Sequence, residues 1–179
     1  CLHGKGGAAP SIDTTMHGFV DAPHVDHLHP DAGLAIATAA DGEELTRRIF
    51  GDKVRWVPWR RPGFQLGLDI AAIANDNPDV VGCILGGHGI TAWGQTSQEC
   101  EANSLWIIRT IDDYIAAHGK PDPFGAARDG FTALPDADRR ARALALAPTL
   151  RAIASQDRRM VGHFTDTEVV LDFLASQKA

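Results

Sequence analysis

The run from Val80 to His118 constrains the fold most. VVGCIL (80–85) is apolar throughout, as in a buried strand, and ITAW (90–93) reads as a second strand. Between them lies GGHG (86–89), a turn composition built around one histidine. TSQE (96–99) then has capping-box spacing, and Ala102, Leu105, Trp106, Ile108, Ile111 and Ile115 recur on one helical face. This predicts the longest helix of the chain, ending at His118-Gly119. Strands followed at once by a covering helix indicate a layered α/β fold.

The flanking segments fit that frame. DAGLAIATAA (31–40) reads as a short helix packed through Leu34, Ile36 and Ala37, with Asp31 at its start. Asp41 and Glu44 have the spacing of a capping box before a helix with Leu45, Ile49 and Phe50 on one side. VRWVPW (54–59) is strand-like, and Leu66 to Ala74 is helical up to the turn cluster NDNPD. From Met16 to His29, apolar runs broken by Pro23 predict two short strands, or a strand and an extended segment. Residues 1–13, punctuated by Gly4, Gly6, Gly7 and Pro10, read as a strand end and loop. Past the linker KPDPFG, a long helix is expected over 136–156, interrupted or kinked near Pro148, and a last one from TDTE (165–168) through Leu174. The expected organisation is a core over 1–119 and a helical extension over 120–179.

Composition narrows the function. A chain of 179 residues, 44% hydrophobic, can bury one real core. A net charge of -6 argues against a nucleic-acid binder, whose affinity comes from clustered Lys and Arg. Three widely spaced cysteines without a CxxC pair suit a reducing cytoplasm. No apolar run approaches the roughly 18 residues that cross a bilayer, so no membrane partner is expected. The opening at Cys1, beside GKGGAAP, suggests a chain cut from something longer.

The chemistry concentrates in PHVDHLHPDA (23–32). In an extended strand, residues two apart share a face, so His27 and His29 can reach one point while Asp26 and Leu28 face away. His24 has the wrong parity for that point. A bare HxH by itself reads more readily as a chance pair on an exposed strand than as a metal site. A metal needs a further ligand, and His88 is the best candidate, since flanking glycines let the backbone come close to an ion. Asp13 is a candidate catalytic carboxylate, with an N-cap or turn role as its plain alternative. His17 and Asp26 are candidates to support the acid or the ligands, and Asp26 reads also as a structural carboxylate facing away. His118 at a helix end, His163 before a cap and His3 look structural. Trp56, Trp59 and Trp106 read as core or subunit contact, and Arg60 and Arg61 as a solvated loop or interface rather than a phosphate site.

In combination, PSIDTTMH (10–17), HLH (27–29) and LGGHGITAWG (85–94) resemble the class II aldolase/adducin family over residues 8–118. GKGGAAPSID, HVDHLHPDA, WVPWRRPGF and MVGHFTD are similar to the aldolase part of bifunctional rhamnulose-1-phosphate aldolase/short-chain dehydrogenases. The resemblance implies a three-layer α/β/α domain around a central mixed or antiparallel sheet, N-terminally incomplete here, and a homo-oligomer, usually a tetramer. It also implies Zn2+, or another divalent metal, on His27, His29 and His88, with Asp13 where the family usually has Glu.

The implied reaction is cleavage of a sugar phosphate, a ketose 1-phosphate such as rhamnulose 1-phosphate. The products would be dihydroxyacetone phosphate and lactaldehyde, formed through a metal-stabilised enediolate with Asp13 moving the proton. Alternatives are an epimerase or dehydratase on the same scaffold, or a metal-free adducin-like interaction domain. The family's upstream phosphate-binding loops are not found, and GKGG reads as a hairpin turn rather than their substitute. No GxGxxG follows a predicted strand, so no dinucleotide site is expected within the chain. An incomplete sheet would leave exposed apolar edges, poor solubility and little activity.

Overall fold

A computed structural model of the chain describes residues 10–120 and 122–179. The expected strand end and loop before Pro10, with GKGG and His3, lie outside the described residues. The chain divides into two compact units, with the boundary after Gly119.

The first unit is built on one four-stranded sheet in the order β1-β4-β3-β2. β3 (Gly82–Leu85) and β4 (Gly89–Gly94) form the antiparallel hairpin expected around GGHG. Gly87 turns the chain with φ +66, a left-handed conformation that favours glycine. β2 (Val54–Val57) runs parallel to β3, a pairing that needs a crossover, and α4 (Phe64–Asp76) supplies it. β1 (His24–Leu28) pairs antiparallel with the other side of β4.

Side-chain alternation then divides the core into two. Ile84, Ile90 and Ala92 point to one face, where Ile36 and Ala37 of α2 (Asp31–Ala37), Phe50 of α3 (Gly42–Phe50), and Ile107 and Ile111 of α5 (Ser97–His118) bury them. Cys83, Leu85 and Trp93 point to the opposite face. There they meet Met16 of α1 (Thr14–Phe19), Val20, and Leu66 and Ile70 of α4. The result is the expected α/β/α layering. Burying an aliphatic side chain of this size contributes about 1.5–3 kcal/mol, so the two clusters hold the sheet rigidly from both sides.

Two local readings are corrected. Residues 14–19 are helical, not extended, and the strand begins only after Pro23. Burial decides this: Met16 is 2% exposed against α4, Thr15 donates from Oγ1 to the Gly63 carbonyl at 3.2 Å, and a Cβ on Gly67 would meet Thr15. Asp41 does precede α3, but its side chain makes no capping bond. Glu44 instead pairs with Arg47 at 2.7 Å and Arg48 at 3.5 Å, so the reciprocal half of the box is taken up along the helix. α5 does start as read: Thr96 Oγ1 accepts from the Glu99 amide at 3.1 Å, while the Glu99 carboxylate accepts from the Gln95 amide at 2.8 Å.

The second unit is helical. α6 (Asp136–Ala154) continues through Pro148, and α7 (Glu168–Ala175) follows. Arg139 ties Asp136 to Asp166, at 3.3 and 2.9 Å, and a bridge joins Ala127 to Ser176. Among the described residues, no helix is long and apolar enough to cross a membrane.

Candidate metal centre

His27 lies on the face of β1 directed towards α1 and α4, opposite Thr91 in the register, and His29 follows the strand end with the same parity. His88 arrives from the β3–β4 turn. The three rings converge: His27 Nε2 is 3.1 Å from His29 Nε2 and 3.2 Å from His88 Nε2. One ligand atom from each lies within 4.8 Å of the others.

Gly89 makes the approach possible. A Cβ there would sit 2.7 Å from the Leu28 carbonyl oxygen and 3.1 Å from His29 Nε2. Any side chain at this buried position would force β1 and the His29 ring away from the hairpin.

The donor set fits a cation. His27 Nδ1 lies 2.9 Å from the Ile90 carbonyl, an acceptor only, so Nδ1 carries the proton and Nε2 a lone pair. The other two Nε2 atoms cannot both satisfy themselves on that single lone pair. Burial, with the neighbouring imidazoles adding to it, pushes His88 below the ordinary histidine range. Burial does the same to His27, partly offset by the Ile90 hydrogen bond. Both rings are therefore neutral at pH 7, the form that ligates a metal. His88 Nδ1 is buried and has no hydrogen-bond partner among the described residues.

Asp13 is brought to the same place. A cavity of about 400 Å³ is lined by Ser11, Asp13, Thr14, His17 and His27. The Asp13 carboxylate accepts from Ser11 Oγ at 3.0 Å, and Ser11 Oγ accepts in turn from the Asp13 amide at 3.2 Å. Asp13 also precedes α1 without capping it through its side chain, which leaves its second oxygen free of that duty. Reading the sequence did not single out Ser11; the signal available was a hydroxyl two residues before the acid, a spacing typical of local side-chain turns.

Asp26 is not brought into this cavity. Its side chain points to the α5 face, where Oδ2 accepts from Ser104 Oγ at 2.8 Å. His24 shares that parity and lines a different cavity with Asp26, Cys100 and Glu101, which His17 also borders. His118 Nδ1 bonds to the Tyr114 carbonyl at 3.0 Å within α5. Arg60 pairs with Asp69, and Trp56 packs on Gly42 and Gly86.

Comparison with known proteins identifies relatives of the sequence and of the fold. Residues 2–114 match the family model of the Class II Aldolase and Adducin N-terminal domain. The uncharacterized oxidoreductase YuxG of Bacillus subtilis (strain 168) is 34% identical over 171 residues, covering 95% of this chain and 24% of the relative. The chain thus spans about a quarter of the length of that curated relative. Among solved structures, the N-terminal class II aldolase domain of a conserved protein from Thermoplasma acidophilum superposes with a TM-score of 0.52 at 28% identity. That match covers 59% of this chain and 48% of the other. A sugar-phosphate aldolase from Thermotoga maritima shares the fold, with a TM-score of 0.52 at 17% identity over 66% of this chain and 59% of the other.

Proposed function

The chain belongs to the class II aldolase and adducin N-terminal domain family, and on that premise we propose that it is a metal-dependent aldolase acting on a ketose 1-phosphate such as rhamnulose 1-phosphate. The observation that carries this reading is the meeting of three imidazole Nε2 atoms beside a cavity that also holds a carboxylate. His27, His29 and His88 would hold the cation, zinc by the chemistry of an all-imidazole set. When bound, such an ion supplies a Lewis acid for the negative charge that develops on substrate oxygen during carbon-carbon cleavage.

The remaining work falls to the chain. The Ile90 carbonyl fixes the His27 tautomer. Asp13, steadied by Ser11, takes the hydroxyl proton of the departing aldehyde portion and returns a proton to the carbon left behind, so protons balance over the cycle. His17 borders the same cavity and can orient the acid or the substrate. The sugar-phosphate aldolase from Thermotoga maritima shares the fold on which this reading is built. YuxG, an uncharacterized oxidoreductase of which this chain matches only a quarter, supports the further reading that this domain works beside a dehydrogenase in one polypeptide. We also assign the active form to a homo-oligomer, a tetramer as in the family.

The test is product analysis. Zinc-loaded protein given rhamnulose 1-phosphate should release dihydroxyacetone phosphate and lactaldehyde, and Asp13→Asn should slow this by about 10²- to 10⁴-fold while zinc content stays the same. Conversion without carbon-carbon cleavage would assign the site to an epimerase or dehydratase instead.

A further inference from the structure

We propose that Trp59 is a positioning residue of this centre: its indole braces the Gly86–Gly87 turn and so holds His88 at the point where His27 and His29 converge. The inference rests on reading the three histidines as metal ligands. Its starting point is a difference between two rings. His27 is oriented by the bond from Nδ1 to the Ile90 carbonyl, whereas His88 Nδ1 has no partner among the described residues. Metal-ligating histidines ordinarily owe their orientation to such a bond. For His88, the backbone that carries the ring must do that work.

That backbone is held from several sides. Gly86 donates its N–H to the Val57 carbonyl at 2.8 Å, Gly87 to the Ala37 carbonyl at 2.6 Å, and His88 to the Leu85 carbonyl at 2.9 Å. The two indoles of WVPW complete the clamp. A Cβ on Gly86 would lie 2.7 Å from Trp56 Cζ2, and one on Gly87 would lie 2.7 Å from Trp59 Cδ1. Trp56 is half-buried against the first core cluster, so it has a packing role of its own. Trp59 is 71% exposed and contributes little to either core. What its ring does touch is Gly87, the residue immediately before the ligand. Gly87 has φ +66, so the turn depends on a glycine there, and the Trp59 indole fills the space a side chain would otherwise take.

The experiment measures Zn2+ affinity by competition with a chromophoric chelator, together with melting of the metal-free protein. The variants are Trp59→Ala, Trp59→Phe, Phe64→Ala and His27→Ala. Trp59→Ala should bind Zn2+ roughly tenfold more weakly, within the range seen when a ligand's support is removed, while metal-free melting stays near wild type. Trp59→Phe should recover most of the loss. Phe64 is also exposed, at 62%, but packs on Phe19, so Phe64→Ala should leave Zn2+ affinity unchanged. Wild-type affinity in Trp59→Ala, or a loss matched by Phe64→Ala, would overturn the inference. If Trp59→Ala does not fold, Trp59→Leu is judged by the same two criteria. Failure of the underlying reading looks different: wild type and His27→Ala would then bind Zn2+ equally poorly.

Discussion

Gly89→Ala places one methyl group at the narrowest point of the centre. Its Cβ would stand 2.7 Å from the Leu28 carbonyl oxygen and 3.1 Å from His29 Nε2, where unstrained carbon contacts need about 3.5 Å. The carbonyl is main chain of β1 and cannot rotate away, so strand end and ring must retreat by roughly 0.5–1 Å. Overpacking of this kind costs about 1–3 kcal/mol of folding stability. The same retreat pulls His29 out of its 3.1 Å approach to His27. A tenfold loss of Zn2+ affinity would remove about 1.4 kcal/mol of the stabilisation that saturating metal gives. Urea unfolding with and without Zn2+ reads both quantities. The metal-free protein should lose about 1–3 kcal/mol, and the increment due to Zn2+ should shrink by at least about 1.4 kcal/mol. A variant that loses metal-free stability yet keeps the full Zn2+ increment would refute the role given to His29.

Two further outcomes are expected. His27 and His88 are held below the ordinary value of 6.5 by burial, so in that range the unfolded chain binds more protons than the folded one. Their effect vanishes above about pH 6.5, and metal-free stability should fall as pH drops below it towards the lower folded values. A shallower acid slope in His88→Asn, measured by melting between these limits, checks the assignment; an unchanged slope counts against it. On the other side of the sheet, Ser104→Ala strips the buried donor from Asp26 and should cost about 1–3 kcal/mol in stability with Zn2+ affinity unaltered. A matching drop in Zn2+ affinity would tie Asp26 to the centre after all.

The proximity of His27 and His29 is legible because strand parity is fixed by backbone geometry, and the hairpin that presents His88 is legible because two apolar runs flank a glycine-rich turn. α5 is legible through its Thr96 cap, which the structure forms. What stayed hidden depends on partners distant in sequence. α1 has only six residues, and its helical state follows from Met16 docking against α4, which no local pattern announces. Glu44 had two claimants, and Arg47 and Arg48, one turn along α3, hold it in place of the cap. Trp59 reads in the sequence as a core or subunit-contact aromatic; the structure leaves it 71% exposed, and the parallel alignment of β2 and β3 sets its ring on Gly87. The face taken by Asp26 was readable from parity, but its partner Ser104 was not, because that contact waits on how α5 lies across β1.

The central claim is that His27, His29 and His88 form a metal site, and metal analysis of the purified chain tests it most directly. After exposure to Zn2+ and dialysis, the wild type should retain about one equivalent and His27→Ala almost none. Less than about a tenth of an equivalent in the wild type, unchanged by His27→Ala, would contradict the account.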